Sequence, residues 1–119
     1  MKTIKPYDKL IEYIYGDESG AGVYAATLGT PSRVYFIQAE RGGAVKIGVT
    51  SQRLESRLNQ IQTGHPEPLR LIGWLPGGRG VEGKIHAAFA DERLRGEWFS
   101  DSPRLSSFIR HCVNPPWEE

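Results

Sequence analysis

The sequence predicts an α/β (α+β) domain in which a small, largely antiparallel sheet is flanked by helices. β-branched and aromatic residues are concentrated in three strand-like segments, 34–39, 44–50 and 69–75. Between and after them, apolar residues recur at helical spacing. The first two segments are joined by a short glycine-containing connection, which indicates a β-hairpin. The resulting order, β-β-α-β-α-(β)-α, is typical of a sheet covered by helices.

The hairpin is followed by a predicted helix from Leu54 to Thr63. Its apolar residues lie at positions i, i+4 and i+7, so they form one face. Thr50 or Ser51 has a side-chain oxygen that can cap the first turn. Gly64 follows directly and favours an end to the helix there.

Two further helices are predicted after the third strand. The first extends from Val81 to about Asp91 and has an apolar stripe on one side. Residues 98–99, both aromatic, indicate a brief strand or a core anchor. The last helix begins at Ser102 as the capping residue, with Pro103 at the first helical position, where proline is well tolerated.

The chain divides into three predicted parts. Residues 1–32 comprise a helix near 7–15 and then an extension rich in Gly, Ala and Ser. Residues 33–113 form the main domain, and residues 114–119 form a C-terminal tail. This organisation predicts one folded domain, as expected for a chain of 119 residues.

The composition is that of an intracellular globular protein. Hydrophobic residues make up 39% of the chain and charged residues 24%. The single cysteine, Cys112, cannot form an internal disulfide. No apolar run approaches the roughly 20 residues that span a bilayer, and the N-terminus has no signal-peptide stretch. We therefore expect a cytoplasmic protein without a membrane partner.

The charge distribution is more informative than the net charge of +1. Residues 41–110 contain 11 Lys and Arg against 7 Asp and Glu, which is a local excess of 11 − 7 = +4. A basic middle segment is compatible with binding to nucleic acid, although a solvated surface of mixed charge explains the same count.

Tyr35 and Lys46 are the candidate catalytic residues of the hairpin. If the two strands pair across the short connection, both side chains lie on one face of the sheet. A phenol or an amine placed there can act as a general base or can orient an attacking water. The alternative is an ordinary half-buried strand tyrosine and a surface lysine.

Two arginines, Arg53 and Arg57, follow on the next helix, one turn apart. A guanidinium is planar and permanently charged, so it suits a phosphate oxygen in a transition state. The same helix carries Glu55, and two solvent-facing arginines on an amphipathic helix are the alternative.

Glu82 and His86 are spaced i, i+4 on the helix after the third strand. One carboxylate together with water and substrate oxygens is a typical arrangement for Mg²⁺. A zinc site is poorly supported, because the chain has one cysteine and only His65, His86 and His111. The alternative for His86 is a helix histidine hydrogen-bonded to a backbone carbonyl.

Taken in order, these segments resemble the GIY-YIG endonuclease superfamily, in particular the branch known from a phage open reading frame and from fungal meiotically up-regulated proteins. The resemblance covers roughly residues 33–100 and implies a phage or mobile-element setting. The segments that carry it are Val34-Tyr35-Phe36-Ile37, Val45-Lys46-Ile47-Gly48-Val49-Thr50, Arg57-Leu58-Asn59-Gln60-Ile61-Gln62-Thr63-Gly64, Glu82-Gly83-Lys84-Ile85-His86-Ala87-Ala88-Phe89 and Arg95-Gly96-Glu97-Trp98-Phe99.

The resemblance implies a three-stranded antiparallel sheet with helices around it and a DNA endonuclease that depends on Mg²⁺ or Mn²⁺. It implies that Tyr35 is the base or water-orienting group and that Arg57 contacts the scissile phosphate. It also implies that Glu82 holds the single metal ion. DNA is the implied partner, and a second protein that supplies DNA specificity is a further expectation.

The chain departs from the family pattern at Lys46, where the name-giving members have tyrosine. Lys46 is retained as a catalytic residue, either as a base or as a group that positions phosphate. The usual asparagine has no counterpart, and His86 or Glu97 is expected to supply polar contacts instead. Arg53, His86 and Lys84 are assigned to substrate binding.

A second tyrosine, Tyr24, imitates the first motif in Gly22-Val23-Tyr24. It stands 22 residues before Lys46, which is too far for a tight hairpin partner, so it is rejected as a catalytic residue.

Two other functions stay open at this point. The first is a catalytically weak or inactive nucleic-acid-binding or regulatory protein on the same fold, favoured by the lysine and by the near-neutral charge. The second is a protein-interaction domain in which Trp74, Trp98 and Trp117 form an exposed surface.

Overall fold

A five-stranded antiparallel sheet forms the centre of the computed structural model, which describes residues 5–15 and 32–118. The strand order is β3-β1-β2-β5-β4, and every neighbouring pair is antiparallel. The strands are β1 (Arg33–Ala39), β2 (Val45–Thr50), β3 (Leu69–Pro76), β4 (Arg93–Arg95) and β5 (Trp98–Phe99). The extension at 16–31, including Tyr24, lies outside the described residues.

Helices cover both faces of this sheet, so the predicted class, α+β with an antiparallel sheet, is confirmed. They are α1 (Lys5–Tyr15), α2 (Leu54–Thr63), α3 (Arg79–Ala88) and α4 (Pro103–Cys112), with short 3-10 turns at Ala90–Glu92 and Pro116–Glu118. None of the helices in the described ranges is long and apolar enough to cross a bilayer.

The expectation of three strands is wrong. Strands β4 and β5 extend the sheet beyond β2, and they contain three and two residues. Segments this short do not complete an alternating pattern, and all three residues of β4 are exposed. Gly96, with φ of 56°, makes the tight turn between them.

Strands β1 and β2 form the predicted hairpin. Tyr35 pairs with Gly48, and Ile37 pairs with Lys46. Two glycines with positive φ, Gly42 and Gly43, form the connection. Since side chains alternate between faces along a strand, Tyr35 and Lys46 lie on the same face as diagonal neighbours.

Each face of the sheet has its own core. On the first face, Val34, Phe36, Val45 and Ile47 pack against apolar residues of α1, α3 and α4. On the second face, the buried residues come from β1, β3 and α2, and they are Tyr35, Ile37, Ala39, Leu54, Leu69 and Trp74.

The helix ends follow the sequence signals only in part. Ser102 caps α4 as predicted, since its side-chain oxygen accepts a hydrogen bond from Leu105 N–H at 3.1 Å. The predicted caps of α2 are wrong, because Arg53 occupies that position without a side-chain cap. Thr50 Oγ1 instead accepts from Gln52 N–H at 3.0 Å in the preceding loop.

Candidate active site

Polar side chains gather at the outer edge of β2, the edge that faces β5. Strand β5 pairs only with Val45 and Lys46. One more backbone hydrogen bond follows, from Ile47 N–H to Glu97 O at 2.9 Å. Within the described part of the chain, residues 48–50 have no strand partner on this side. The open edge leaves room for side chains from α3 and from the β4–β5 turn.

Glu82 reaches this edge from the first turn of α3. Its side chain is only 13% exposed, and its Oε2 atom is buried without a hydrogen-bond partner. His86, one turn later, places Nε2 4.0 Å from that oxygen, which is too far for a hydrogen bond. A buried carboxylate oxygen without a partner is costly, so Glu82 favours an additional positive ligand.

The pKa of Glu82 is raised from its ordinary value of 4.5. Burial is the largest cause and the nearby Glu97 carboxylate the second, whereas His86 and Arg79 act in the opposite direction. Two neighbouring carboxylates can hydrogen-bond to each other only when one of them carries a proton. The Glu82–Glu97 pair is therefore suited to hold either a proton or a cation.

Lys46 lies on the other side of Glu97. Its Nζ donates to Glu97 Oε1 at 2.9 Å and stands 5.7 Å from the centre of the Trp98 ring. Glu97 thus connects the lysine of the second face to Glu82, which is on a helix of the first face. This connection places Lys46 and Glu82 at one site although their elements cover opposite faces.

His86 is held in place by a hydrogen bond at each of its ring nitrogens. Its Nε2 must carry the proton, because it donates to the carbonyl oxygen of Ile47 at 2.8 Å. Its Nδ1 then accepts from the guanidinium of Arg93 at 3.3 Å. Both ring nitrogens are therefore engaged. The bond to Ile47 O matches the alternative in which His86 is a helix histidine hydrogen-bonded to a backbone carbonyl. His86 supports the edge of β2 in this arrangement.

Tyr35 lies within the second face, where its side chain is 1% exposed. Its hydroxyl oxygen is buried without a hydrogen-bond partner. The phenol crosses over Gly48 on β2, and a Cβ atom at Gly48 would clash with the hydroxyl group. Gly48 is therefore required for the close approach of Tyr35 to β2.

The two arginines of the α2 segment have different surroundings. Arg57 is half-buried, its NH1 donates to Gln60 Oε1 at 3.0 Å, and its Nε is buried without a partner. Arg53 is exposed at the N-cap of the same helix. Arg57 is thus the more constrained of the two, and Arg53 faces solvent.

Lys84 is directed away from this site. It stands two residues after Glu82, so the two side chains project from different sides of α3. Its Nζ lies 5.5 Å from the centre of the Tyr13 ring on α1. The structure therefore brings Lys46, Glu82 and His86 together around Glu97 and separates Lys84 from them.

Glu97 is the site residue whose place the sequence reasoning left undefined. The glycine before it and the aromatic pair after it were the available signals, but its position depends on pairing with a strand about fifty residues earlier. Among the described residues, no cluster of three or more His, Cys, Asp or Glu side chains forms a metal site. Glu82 and Glu97 are the two carboxylates that the edge offers.

The three tryptophans do not form one exposed surface. Trp74 is buried in the second face, Trp98 is half-buried beside Lys46, and Trp117 is 82% exposed near the end of the chain. This arrangement gives no support to the interaction-domain alternative.

Comparison with known proteins identifies the family. The model of the T5orf172 domain matches residues 32–114, which is more than half of the chain. The chain belongs to the T5orf172 domain family. The matched range contains the whole sheet, the site residues and helices α2 to α4 of the T5orf172 domain. No curated protein and no solved structure gives a significant match.

The assignment to the GIY-YIG endonuclease superfamily is wrong, since the matching family is the T5orf172 domain and no GIY-YIG model matches. The segments that suggested it are the two strands of the hairpin, the arginine-bearing helix, the Glu82 helix and the residues 95–99. A hairpin followed by an amphipathic helix is a common arrangement, so these segments do not define one family. Any function of the T5orf172 domain must therefore be argued from its own site.

Proposed function

We propose that this T5orf172 domain is a metal-dependent DNA endonuclease that hydrolyses phosphodiester bonds at the open edge of β2. The observation that carries the proposal is the buried, unpartnered carboxylate oxygen of Glu82 beside the Glu97 carboxylate. Lys46 completes the group from the opposite face. A structural ion pair would need neither the second carboxylate nor the unpartnered oxygen.

Glu82 and Glu97 are the residues that would hold Mg²⁺ or Mn²⁺. Mg²⁺ binds through one or two carboxylates and keeps several waters, so a two-carboxylate edge fits it better than it fits zinc. The bound ion would polarise a phosphate oxygen and activate a water molecule. The partial exposure of Glu97 leaves this position open to a substrate.

Lys46 is assigned to positioning the phosphate. Its ammonium donates to Glu97 at 2.9 Å, so it is already used as a hydrogen-bond donor at the site. A divalent ion that engages Glu97 would compete for the same carboxylate and free donor capacity on Lys46 for a phosphate oxygen. A general base would need an unprotonated amine, whereas Lys46 already donates a hydrogen bond to Glu97. We therefore assign Lys46 to positioning and not to base catalysis.

Tyr35 and Arg57 serve the reaction from the second face. The Tyr35 hydroxyl and the Arg57 Nε are both buried without partners, and each unpaired group costs about 1–3 kcal/mol. The hydroxyl suits orientation or deprotonation of the attacking water, and the guanidinium suits the charge that develops on phosphate. Engagement of Tyr35 requires its buried oxygen to be uncovered when DNA binds.

DNA would be held mainly through its phosphates. The excess of Lys and Arg lies in residues 41–110, the segment that supplies the site. Phosphate contacts of this kind release counterions, so the affinity should fall as salt increases. They carry no sequence information by themselves, which is why a partner that supplies specificity belongs to the proposal.

The test is nicking of supercoiled plasmid in Mg²⁺ or Mn²⁺ compared with chelator. Glu82→Gln keeps the size of the side chain and removes its charge, and we expect it to reduce nicking by about 100-fold or more. Glu55→Gln, an exposed carboxylate on α2, is the matched control and should nick like the wild type. Nicking that survives Glu82→Gln would contradict the proposal.

A DNA-binding protein without nuclease activity is the second candidate. The observations that favour it are the buried hydroxyl of Tyr35 and the ion pair that occupies Lys46. It predicts that the wild type binds several DNA forms in Mg²⁺ without cutting any of them, and the same plasmid experiment distinguishes the two candidates.

A further inference from the structure

A cavity of about 690 Å³ lies beside the β1–β2 turn, outside the group of residues assigned to catalysis. Ala39, Leu69 and Trp98 supply apolar surface, Arg41, His65 and Arg95 supply polar and cationic groups, and Glu67 supplies one carboxylate. Its volume is within the range of about 300–1,000 Å³ typical of small-ligand sites. This space, called the aromatic cavity below, is large enough for a nucleotide.

The aromatic cavity adjoins the candidate active site through β5. Trp98 lines the cavity, and it pairs with Lys46 on β2. The residue before it, Glu97, holds Lys46 and neighbours Glu82. A DNA strand with one phosphate at Glu82 and Lys46 could therefore place an adjacent nucleotide in the aromatic cavity.

Two aromatic rings line this cavity together. The His65 and Trp98 rings have centroids 5.6 Å apart and an interplanar angle of 31°. His65 Nδ1 accepts a hydrogen bond from the Glu67 backbone N–H at 3.2 Å, and this bond fixes the orientation of the imidazole. Rings held in this way offer a stacking platform for a base, and stacking is available to all bases because each has a π-face.

The cationic groups complement a nucleotide phosphate. Arg41 is exposed and pairs with Glu67 at 2.9 Å, and a solvent-exposed pair of this kind is weak. Arg95, exposed on β4, pairs in register with Trp98, so its side chain starts from the same side of the sheet. A phosphate can therefore be neutralised beside the aromatic rings.

We propose that the aromatic cavity binds an unpaired nucleotide of the DNA substrate, which makes single-stranded or locally unpaired DNA the preferred substrate class. That this DNA is a substrate rests on the proposed endonuclease function. Binding of an unpaired nucleotide in the aromatic cavity does not depend on that function. A base within a duplex is stacked and paired, so it reaches an aromatic cavity only when it leaves the helix. Electrostatic binding alone would not favour unpaired DNA.

The experiment measures binding of a fluorescein-labelled single-stranded oligonucleotide and of its blunt duplex by anisotropy. It uses the full chain in chelator, so that cleavage does not interfere. We expect His65→Ala and Arg95→Ala each to weaken single-strand binding by about tenfold while duplex affinity changes less than about twofold. Arg70→Ala is the matched control, since Arg70 is an exposed arginine that lines a different cavity.

Equal weakening of single-strand and duplex binding by His65→Ala and Arg95→Ala would overturn the proposal, and so would unchanged single-strand affinity. Thermal melts of each variant exclude loss of the fold as the cause. Loss of single-strand preference without any plasmid nicking by the wild type would support the aromatic cavity and contradict the endonuclease. Nicking that depends on Glu82, with single-strand affinity unchanged by both variants, would contradict the aromatic cavity alone.

Discussion

Two buried tyrosines show how differently the two faces of the sheet are built. On the first face, Tyr15 donates its hydroxyl hydrogen to Pro76 O at 2.8 Å. On the second face, Tyr35 is equally buried, and its hydroxyl has no partner. Trp74 Nε1 and Arg57 Nε on the second face are also buried without partners. The buried tyrosine of the first face is therefore satisfied internally, whereas the second face keeps several buried polar atoms available for a ligand, and Glu82 Oε2 on α3 is the comparable atom of the first face.

The partnered hydroxyl of Tyr15 contributes to stability, whereas the unpartnered hydroxyl of Tyr35 lowers stability and is available for function. An unpartnered buried polar group costs about 1–3 kcal/mol, so the second face lowers the free energy of unfolding below what its packing allows. We infer that this cost persists because the same atoms are used when DNA binds. The predictions below test the contrast between the faces, beginning with the largest expected effect.

Gly48→Ala should produce the largest loss of stability. The added Cβ clashes with the Tyr35 hydroxyl in a packed face, so we expect a decrease of about 2 kcal/mol in the free energy of unfolding. Gly83→Ala is the control on α3, where an added Cβ meets open space. It should stabilise the helix by about 0.5–1 kcal/mol. Urea denaturation measures both changes in the free energy of unfolding. A change of the same sign in Gly48→Ala and Gly83→Ala would contradict this prediction.

The dependence of stability on pH should reveal Glu82. Its pKa is raised in the folded state, so the folded protein binds more protons than the unfolded chain above pH 4.5. This contribution is complete below that pH and is lost as pH rises through the raised pKa. The metal-free wild type should therefore lose stability across this window, and Glu82→Gln should lose less. Identical pH profiles would count against the assigned environment of Glu82.

Divalent metal should reverse that loss at neutral pH. Binding to the folded state alone stabilises by mass action, by about 2.7 kcal/mol at a hundredfold excess over the dissociation constant. Mg²⁺ or Mn²⁺ should raise the melting temperature of the wild type at pH 7 and leave Glu82→Gln unchanged. Removal of the metal with chelator should restore the lower value. An equal rise in both proteins would place the ion elsewhere.

The smallest expected effects distinguish Arg53 from Lys84. Arg53 is exposed beside Arg57, so Arg53→Met should lower the slope of log affinity against log salt by about one. Lys84 lies over the Tyr13 ring on α1, so Lys84→Met should leave that slope unchanged. The free energy of unfolding of Lys84→Met should fall by about 0.5 kcal/mol, because the cation–π contact with Tyr13 is lost. A reversed order of slopes would move the DNA path toward α1.

The sequence was sufficient for the parts of the fold that depend on local pattern. Alternation in the hairpin predicted that Tyr35 and Lys46 share a face, and the spacing after Thr50 predicted α2. The brief strand expected at residues 98–99 is confirmed as β5, but β4 is too short and too exposed to show alternation, so the five-stranded sheet could not be predicted. The position of Glu97 between Lys46 and Glu82 depends on long-range pairing with β2.

The surroundings of His86 and the family of the chain depend on more than local motifs. The spacing of Glu82 and His86 on one helix placed His86 among the substrate-binding residues, but its Nε2 donates a hydrogen bond to the Ile47 carbonyl oxygen. Local motifs do not specify such a tertiary partner. The motifs were also common enough to suggest the wrong superfamily for a T5orf172 domain.

The most direct test compares Tyr35→Phe with Tyr15→Phe by denaturation and by plasmid nicking. Tyr15→Phe removes a satisfied hydrogen bond and should lose about 1 kcal/mol of stability. Tyr35→Phe removes an unsatisfied hydroxyl, so it should be at least as stable as the wild type and nick DNA about 100-fold more slowly. Equal destabilisation of both variants, with nicking by Tyr35→Phe unchanged, would contradict the different roles assigned to the two buried tyrosines.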